Sequence, residues 1–273
     1  MKPRRDTLSD GVRECPAGAA REEPAMLQRL LAASSITPPA IWGKLPAHAD
    51  FVGSGLSTSH REAWRAWLEA QGEGVVDGDG AEDARALPTA FVLAPGALPF
   101  APHRFVVGVV AASSDRFGRP YPLVIYHEAH PRWVACHFRR QAREPNDWFF
   151  WLARTVTRHG SLRDAADIRT LERMVNALWR LHAPTWLEIA TSGRHGVPAP
   201  TRGRVQALLD RMAGPVRQDD PGRRFRGVRH LPWTDWPQRL RHTPGECAFW
   251  QQDSRGRYVN ASDRLDTLWG GLS

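Results

Sequence analysis

A chain of 273 residues with 42% hydrophobic residues, twelve Trp and ten Phe holds enough apolar material for one large domain, or a domain with an appendage, and excludes a wholly disordered polypeptide. The formal charge of +8 comes almost entirely from arginine, with acidic residues interspersed through most of the chain. It permits nucleic acid, an acidic protein or an anionic membrane surface as partner and demands none of them.

Cys15, Cys136 and Cys247 are scattered, with no CxxC and no Cys/His ligand spacing, which argues against a zinc ribbon or a disulfide framework and for a reduced chain. No apolar run approaches the roughly 18 residues of a membrane span. The stretch Met26–Ile36 is broken by Gln28 and Arg29, with no convincing cleavage site after it. The expectation is a cytoplasmic protein without a transmembrane segment.

In chain order, residues 1–24 mix Arg, Asp, Glu, Gly and Pro with almost no large apolar side chains, the composition of a disordered leader. Met26–Ala33 is a short helical stretch stopped by Pro38-Pro39. Ile41–Leu45 reads as an edge element, since Pro46 forbids continuation as a paired central strand. Ser57 or Thr58 caps a helix over Ser59–Gln71 that buries Trp64, Trp67 and Leu68, and Gly72–Ala84 is a loop tip.

Thr89–Leu93 reads as a strand closed by Pro95-Gly96. Phe105, Val106, Val107, Val109 and Val110 make a near-continuous apolar run within 104–113, the pattern of a strand covered on both faces. Ser114–Arg119 turns, with Gly118 supplying any positive φ, and Tyr121–Tyr126 returns as the partner of a central antiparallel hairpin.

Asp147 caps a helix beginning Trp148-Phe149-Phe150-Trp151, and Leu162–Leu181 repeats apolar residues at helical spacing. Trp186–Ala190 is a short strand, Ser192–Arg204 a joint, and Val205–Met212 an amphipathic helix. Glu246–Gln252, a turn at Ser254-Arg255-Gly256 and Tyr258–Asn260 form a hairpin, and Ser262 caps a last helix. The fold class is α+β: a largely antiparallel central sheet covered by helices, with a mixed helical and hairpin C-terminal extension. The division expected is a leader over 1–38, a domain over 39–160, and an extension over 161–273 packed on the same body or as a looser lobe.

Three stretches stand out: Ile41-Trp42-Gly43-Lys44-Leu45-Pro46-Ala47-His48-Ala49-Asp50-Phe51-Val52, Phe91-Val92-Leu93-Ala94-Pro95-Gly96 and Ser114-Asp115-Arg116-Phe117-Gly118-Arg119-Pro120-Tyr121-Pro122-Leu123. Together, over roughly residues 40–160, they resemble the TagF (ImpM) family of type VI secretion accessory proteins. His48 and Ala49 depart from that family's pattern, in which a glycine commonly precedes the aspartate. The resemblance implies a cytoplasmic, post-translational regulator acting by protein–protein contact. By the same resemblance its partners are the forkhead-associated scaffold protein and the inner-membrane complex of the apparatus. Some members are fused to a metal-dependent phosphatase domain, and no such domain is visible here.

Trp42, Gly43, Lys44, Leu45, Pro46, Asp50, Phe51, Asp115, Arg116, Gly118, Arg119 and Pro122 are the candidate partner-binding or motif-bracing residues. As braces, Asp50 pairs with Arg116 or Arg119 and pins the first loop to the hairpin turn; a buried pair of that kind is worth about 3–5 kcal/mol on removal of one partner. As a surface, both arginines are available to carboxylate or phosphate, and Trp42 is the tryptophan most open to an interface role.

No G-x-S-x-G elbow, Walker loop or G-x-G-x-x-G is present, and Gly53-Ser54-Gly55 is a joint. The expectation is a non-enzymatic protein without cofactor or metal. Two rivals remain open. One is a hydrolase or metal-dependent enzyme gathering His48, Asp50 and Asp115, with His60 nearby. The other is a nucleic-acid or anionic-surface binder using the Arg-rich 202–241 segment with Trp233 and Trp236.

Overall fold

A computed structural model describes residues 35–72, 86–134, 137, 147–159, 167–182 and 247–269. The leader, the loop tip after Gly72, the start of the Leu162–Leu181 helix, the Trp186–Ala190 strand, the joint, the Val205–Met212 helix and the Arg-rich segment lie outside these residues.

Seven strands form one antiparallel sheet: β1 (Ala40–Gly43), β2 (Val52–Ser54), β3 (Thr89–Leu93), β4 (Phe105–Ala111), β5 (Leu123–Ala129), β6 (Ala248–Gln252) and β7 (Tyr258–Ser262). Their spatial order is β2-β1-β5-β4-β3-β6-β7. The β4–β5 hairpin is central, and every residue of β4 is buried, because successive side chains of a strand point to opposite faces and both faces are covered. Val107 and Val109 join one apolar cluster, Val106 and Val110 the other.

Helices α2 (Trp148–His159) and α3 (Ile168–His182) cover the first face, with Phe149, Leu152, Val156, Leu171, Val175 and Leu178 turned inward. Helices α1 (Thr58–Gly72) and α4 (Leu265–Trp269) cover the second through Trp64, Leu68, Leu265, Leu268 and Trp269. Helix starts follow the sequence signals. Ser57 Oγ accepts from the His60 N–H, Asp147 Oδ1 from Phe150, Asp167 Oδ1 from Thr170, and Ser262 Oγ from Arg264 at the turn into α4.

One expectation needs correction. β1 is not an edge: it pairs with β2 on one side and β5 on the other, and Pro46 lies beyond its end, so it removes no ladder bond. The C-terminal hairpin extends the same sheet, because β6 pairs with β3.

Antiparallel pairing fixes which loops share an end. β1, β4 and β6 run in one direction, so the segments that follow them, 44–51, 112–122 and 253–257, all leave the same end of the sheet.

Candidate functional site

The β4–β5 connection is built around Asp115. Its Oδ1 accepts from the Phe117 and Arg119 N–H groups at 2.9 and 3.0 Å, and its Oδ2 meets Arg119 Nε at 2.6 Å. The Gly118 N–H returns to Asp115 O, and the Asp115 N–H to Arg119 O. Gly118 holds φ +78°, a conformation glycine adopts without strain. Asp115 is thus wrapped by its own turn, with side-chain exposure of 0% although it lies near the surface rather than deep in the core. Desolvation pushes its pKa up, but the Lys44 bond, the Arg119 and Phe117 amides and the Arg119 side chain outweigh that and hold the carboxyl well below its ordinary range.

The motif loop after β1 is fastened to this turn. Lys44 Nζ reaches Asp115 Oδ2 at 3.1 Å, and Ser113 Oγ donates to Lys44 O. The Arg116 N–H donates to His48 O, and Arg119 Nη2 donates to Ala49 O at 2.8 Å. His48 Nε2 accepts the Ile168 N–H at 3.1 Å, which ties the same loop to the start of α3 and satisfies one of its free amides.

Loop and turn are therefore pinned together, but by Asp115 rather than Asp50. Asp50 is exposed; its Oδ1 accepts from the adjoining Phe51 N–H, and no ion pair joins it to Arg116 or Arg119 among the described residues. The reason is local. An aspartate four residues before an arginine, with glycine between, closes an Asx-type turn on itself and holds that arginine before Asp50 can compete.

The apolar motif residues are core. Trp42 is 4% exposed, against the expectation of an interface role, because Phe51 stacks on it at 5.0 Å and Tyr121 meets Phe51 edge-on. Leu45 and Pro46 are buried. Gly43 takes φ +138°, and a Cβ there would lie 2.2 Å from Pro122 O, so Gly43 and Pro122 belong to one close approach of β1 to β5.

Of the residues of the metal or hydrolase reading, His48 and Asp50 lie on the loop pinned to the Asp115 turn, and His60 stands apart from them. His48 bonds to α3 on one face of the sheet, whereas His60, on α1, lies against Tyr126 and Phe100 on the other. Among the described residues no group of His, Cys, Asp and Glu could hold a metal ion.

The tip itself carries the residue that sequence reading passed over. Phe117 is 64% exposed, with the Arg116 guanidinium 5.0 Å and the Arg119 guanidinium 5.4 Å from its ring centroid. Its signal was an aromatic at the apex of a polar turn, flanked by arginines. The two arginines differ: Arg119 spends Nε on Asp115 and Nη2 on Ala49, whereas the Arg116 side chain has only the ring contact among the described residues. Arg116 is the cation left for a partner.

An α+β protein with a seven-stranded sheet and a braced central hairpin carrying both motif stretches defines the class. Residues 40–178 match the family model described as the TagF N-terminal domain, type VI secretion system-associated, about half of the chain, and the protein belongs to that family. Among solved structures the chain is similar to PA0076 from Pseudomonas aeruginosa PAO1, with 18% identity and a TM-score of 0.45 over 85% of this chain and 92% of that one. No curated protein matches it significantly. No helix among the described residues is long and apolar enough to cross a membrane.

Proposed function

We propose that this protein is a non-enzymatic, cytoplasmic regulator of a type VI secretion apparatus that acts by binding and sequestering an apparatus component. The supporting observation is the tip: an exposed Phe117 beside Arg116, which has no ion-pair partner among the described residues, on a turn braced by Asp115, Lys44 and Arg119. A preformed aromatic–arginine surface loses little entropy on docking and has the composition of an interaction hot spot. Family membership supplies the system; the forkhead-associated scaffold protein and the inner-membrane complex are the components we assign as partners.

The test is affinity capture from a lysate of the host, comparing the wild-type protein with an Arg116→Glu/Phe117→Ser double variant of matched thermal stability. We expect the wild type to recover apparatus components and the variant to lose them. Equal recovery by both removes the tip from the interaction, and recovery of no secretion component by either overturns the reading.

A further inference from the structure

The hairpin at the C-terminal side repeats the Asp115 turn. In Asp253-Ser254-Arg255-Gly256-Arg257, Asp253 Oδ1 accepts from the Arg255 and Arg257 N–H groups, both at 2.9 Å. Its Oδ2 meets Arg257 Nε at 2.6 Å. The Gly256 N–H returns to Asp253 O and the Asp253 N–H to Arg257 O, and Gly256 has φ +83°. Both turns read Asp-x-x-Gly-Arg and make the same set of bonds. In each, the last arginine is consumed by the turn, and an exposed arginine inside it has no ion-pair partner among the described residues: Arg116 in the first, Arg255 in the second.

The sheet places the two turns side by side. Val110 of β4, Thr89 of β3 and Gln251 of β6 lie in one row. β4 and β6 are separated by β3 alone, so the turns are two strand spacings apart, about 10 Å. Asp115 lies farther beyond the row than Asp253, a stagger of roughly 10 Å at the usual rise per residue. The two turns thus start roughly 14 Å apart, a span that four or five extended residues cover.

We infer that these turns form a two-point docking face for an acidic polypeptide segment, with carboxylates meeting Arg116 and Arg255 and an apolar side chain resting on Phe117. This deepens the proposed function and rests on it for the partner's place in the apparatus, though not for its chemistry. The case for protein carboxylates over a polyanion is charge. Anionic membranes are held by clusters of about four to eight basic residues, and nucleic acid by many phosphate contacts. Here two exposed arginines have no ion-pair partner among the described residues, Asp50 is exposed next to Ala49, the residue whose carbonyl Arg119 holds, and an exposed aromatic ring lies beside Arg116. Those features suit a short segment of mixed acidic and apolar character.

The experiment uses the full chain and a fluorescein-labelled heptapeptide of six Asp/Glu residues around a central Leu, read by polarisation and by amide shifts in NMR spectra. The comparison probes are the same peptide with Ser for Leu, a single-stranded oligonucleotide, and phosphatidylserine vesicles. We expect the Leu peptide to bind best, with affinity falling as salt rises. Arg116→Ala and Arg255→Ala should each weaken it about five-fold, and Phe117→Ala about ten-fold. All three side chains are exposed, so the fold should survive, checked by thermal unfolding.

Loss at Arg116 with no effect at Arg255 overturns the two-turn face. Tighter binding of oligonucleotide or vesicles overturns the choice of partner, as does absence of peptide-induced shifts at both turns. If no peptide binds while the wild type still captures apparatus components and the Arg116→Glu/Phe117→Ser variant does not, the proposed function stands and this inference fails. If the peptide binds at both turns while neither the wild type nor the variant captures a secretion component, the face is real and the proposed function fails.

Discussion

Lys44 Nζ meets the buried carboxylate of Asp115 at 3.1 Å, joining the first motif to the second across the end of the sheet. The pair does not make the turn: Asp253 closes an identical turn with no lysine partnered to it among the described residues. Lys44 is therefore a clamp on the loop, and Lys44→Met should leave the turn formed while freeing the loop. Hydrogen exchange resolves the two. The Phe117 and Arg119 amides, bound to Asp115, should stay protected, while the Arg116 amide, bound to His48 O, exchanges at least ten-fold faster. Equal loss at all three amides would make Lys44 part of the turn itself.

Gly43→Ala tests the other motif glycine. Its Cβ would meet Pro122 O at 2.2 Å and Leu123 Cα at 2.8 Å, in a backbone conformation that side chains resist. The atoms in the way are backbone, so β1 and β5 must part. We expect a loss of about 3 kcal/mol in urea unfolding, from positive-φ strain and overpacking together. Gly118→Ala has nothing within 4 Å of its Cβ, so only strain remains, about 1 kcal/mol.

These positions show where the sequence was readable. The strands at 89–93 and 105–111, the C-terminal hairpin and the caps at Ser57 and Asp147 follow from short-range signals: apolar runs, turn glycines, side-chain oxygens before apolar periods. Asp115 and Arg119 were recognisable as a turn for the same reason, and their self-closure was available from their spacing. What escaped depends on distant pairing. β2 is three residues of Val, Gly and Ser with no strand character of its own; it exists because β1 offers it an edge, and that makes β1 internal. Trp42 looked exposable beside Gly43, but a glycine facing Pro122 O draws β1 inward. The kinship of the Asp115 and Asp253 turns could have been read from Asp-x-x-Gly-Arg alone. Their adjacency could not, because it needs the strand order.

Asp50 and Asp115 stood together as motif aspartates, and the structure separates them. Asp50→Asn removes a charge from an exposed side chain whose bond is to its own neighbour, so stability should change by no more than about 0.5 kcal/mol. Asp115→Asn loses its pairing with Lys44 and Arg119 and should lower the thermal midpoint measurably. Equal midpoints for the two variants in scanning calorimetry would contradict this assignment of the brace.

The acid limb of stability should be shaped by His127. Its ring is buried between β5 and α2, Nδ1 donating to Thr37 O at 2.7 Å and Nε2 accepting from Trp148 Nε1 at 3.1 Å, so the neutral tautomer satisfies both nitrogens. Trp179 packs on the ring at 4.5 Å. Burial lowers its pKa from 6.5 to about 4; the Thr37 carbonyl opposes that shift and the nearby His137 adds to it. The unfolded chain binds a proton at this residue below pH 6.5 that the folded chain refuses until about pH 4. Its contribution is therefore complete above 6.5 and is lost progressively as pH falls toward 4, about 3 kcal/mol over that window. His127→Asn keeps a donor for Thr37 but leaves Trp148 Nε1 unpaired, which costs about 1–3 kcal/mol at neutral pH. It should also remove this residue's share of the slope. Urea unfolding at pH values of about 7, 5.5 and 4.5 reads both effects. The gap between wild type and variant should narrow on acidification, and a gap that stays constant would show that His127 does not titrate differently in the two states.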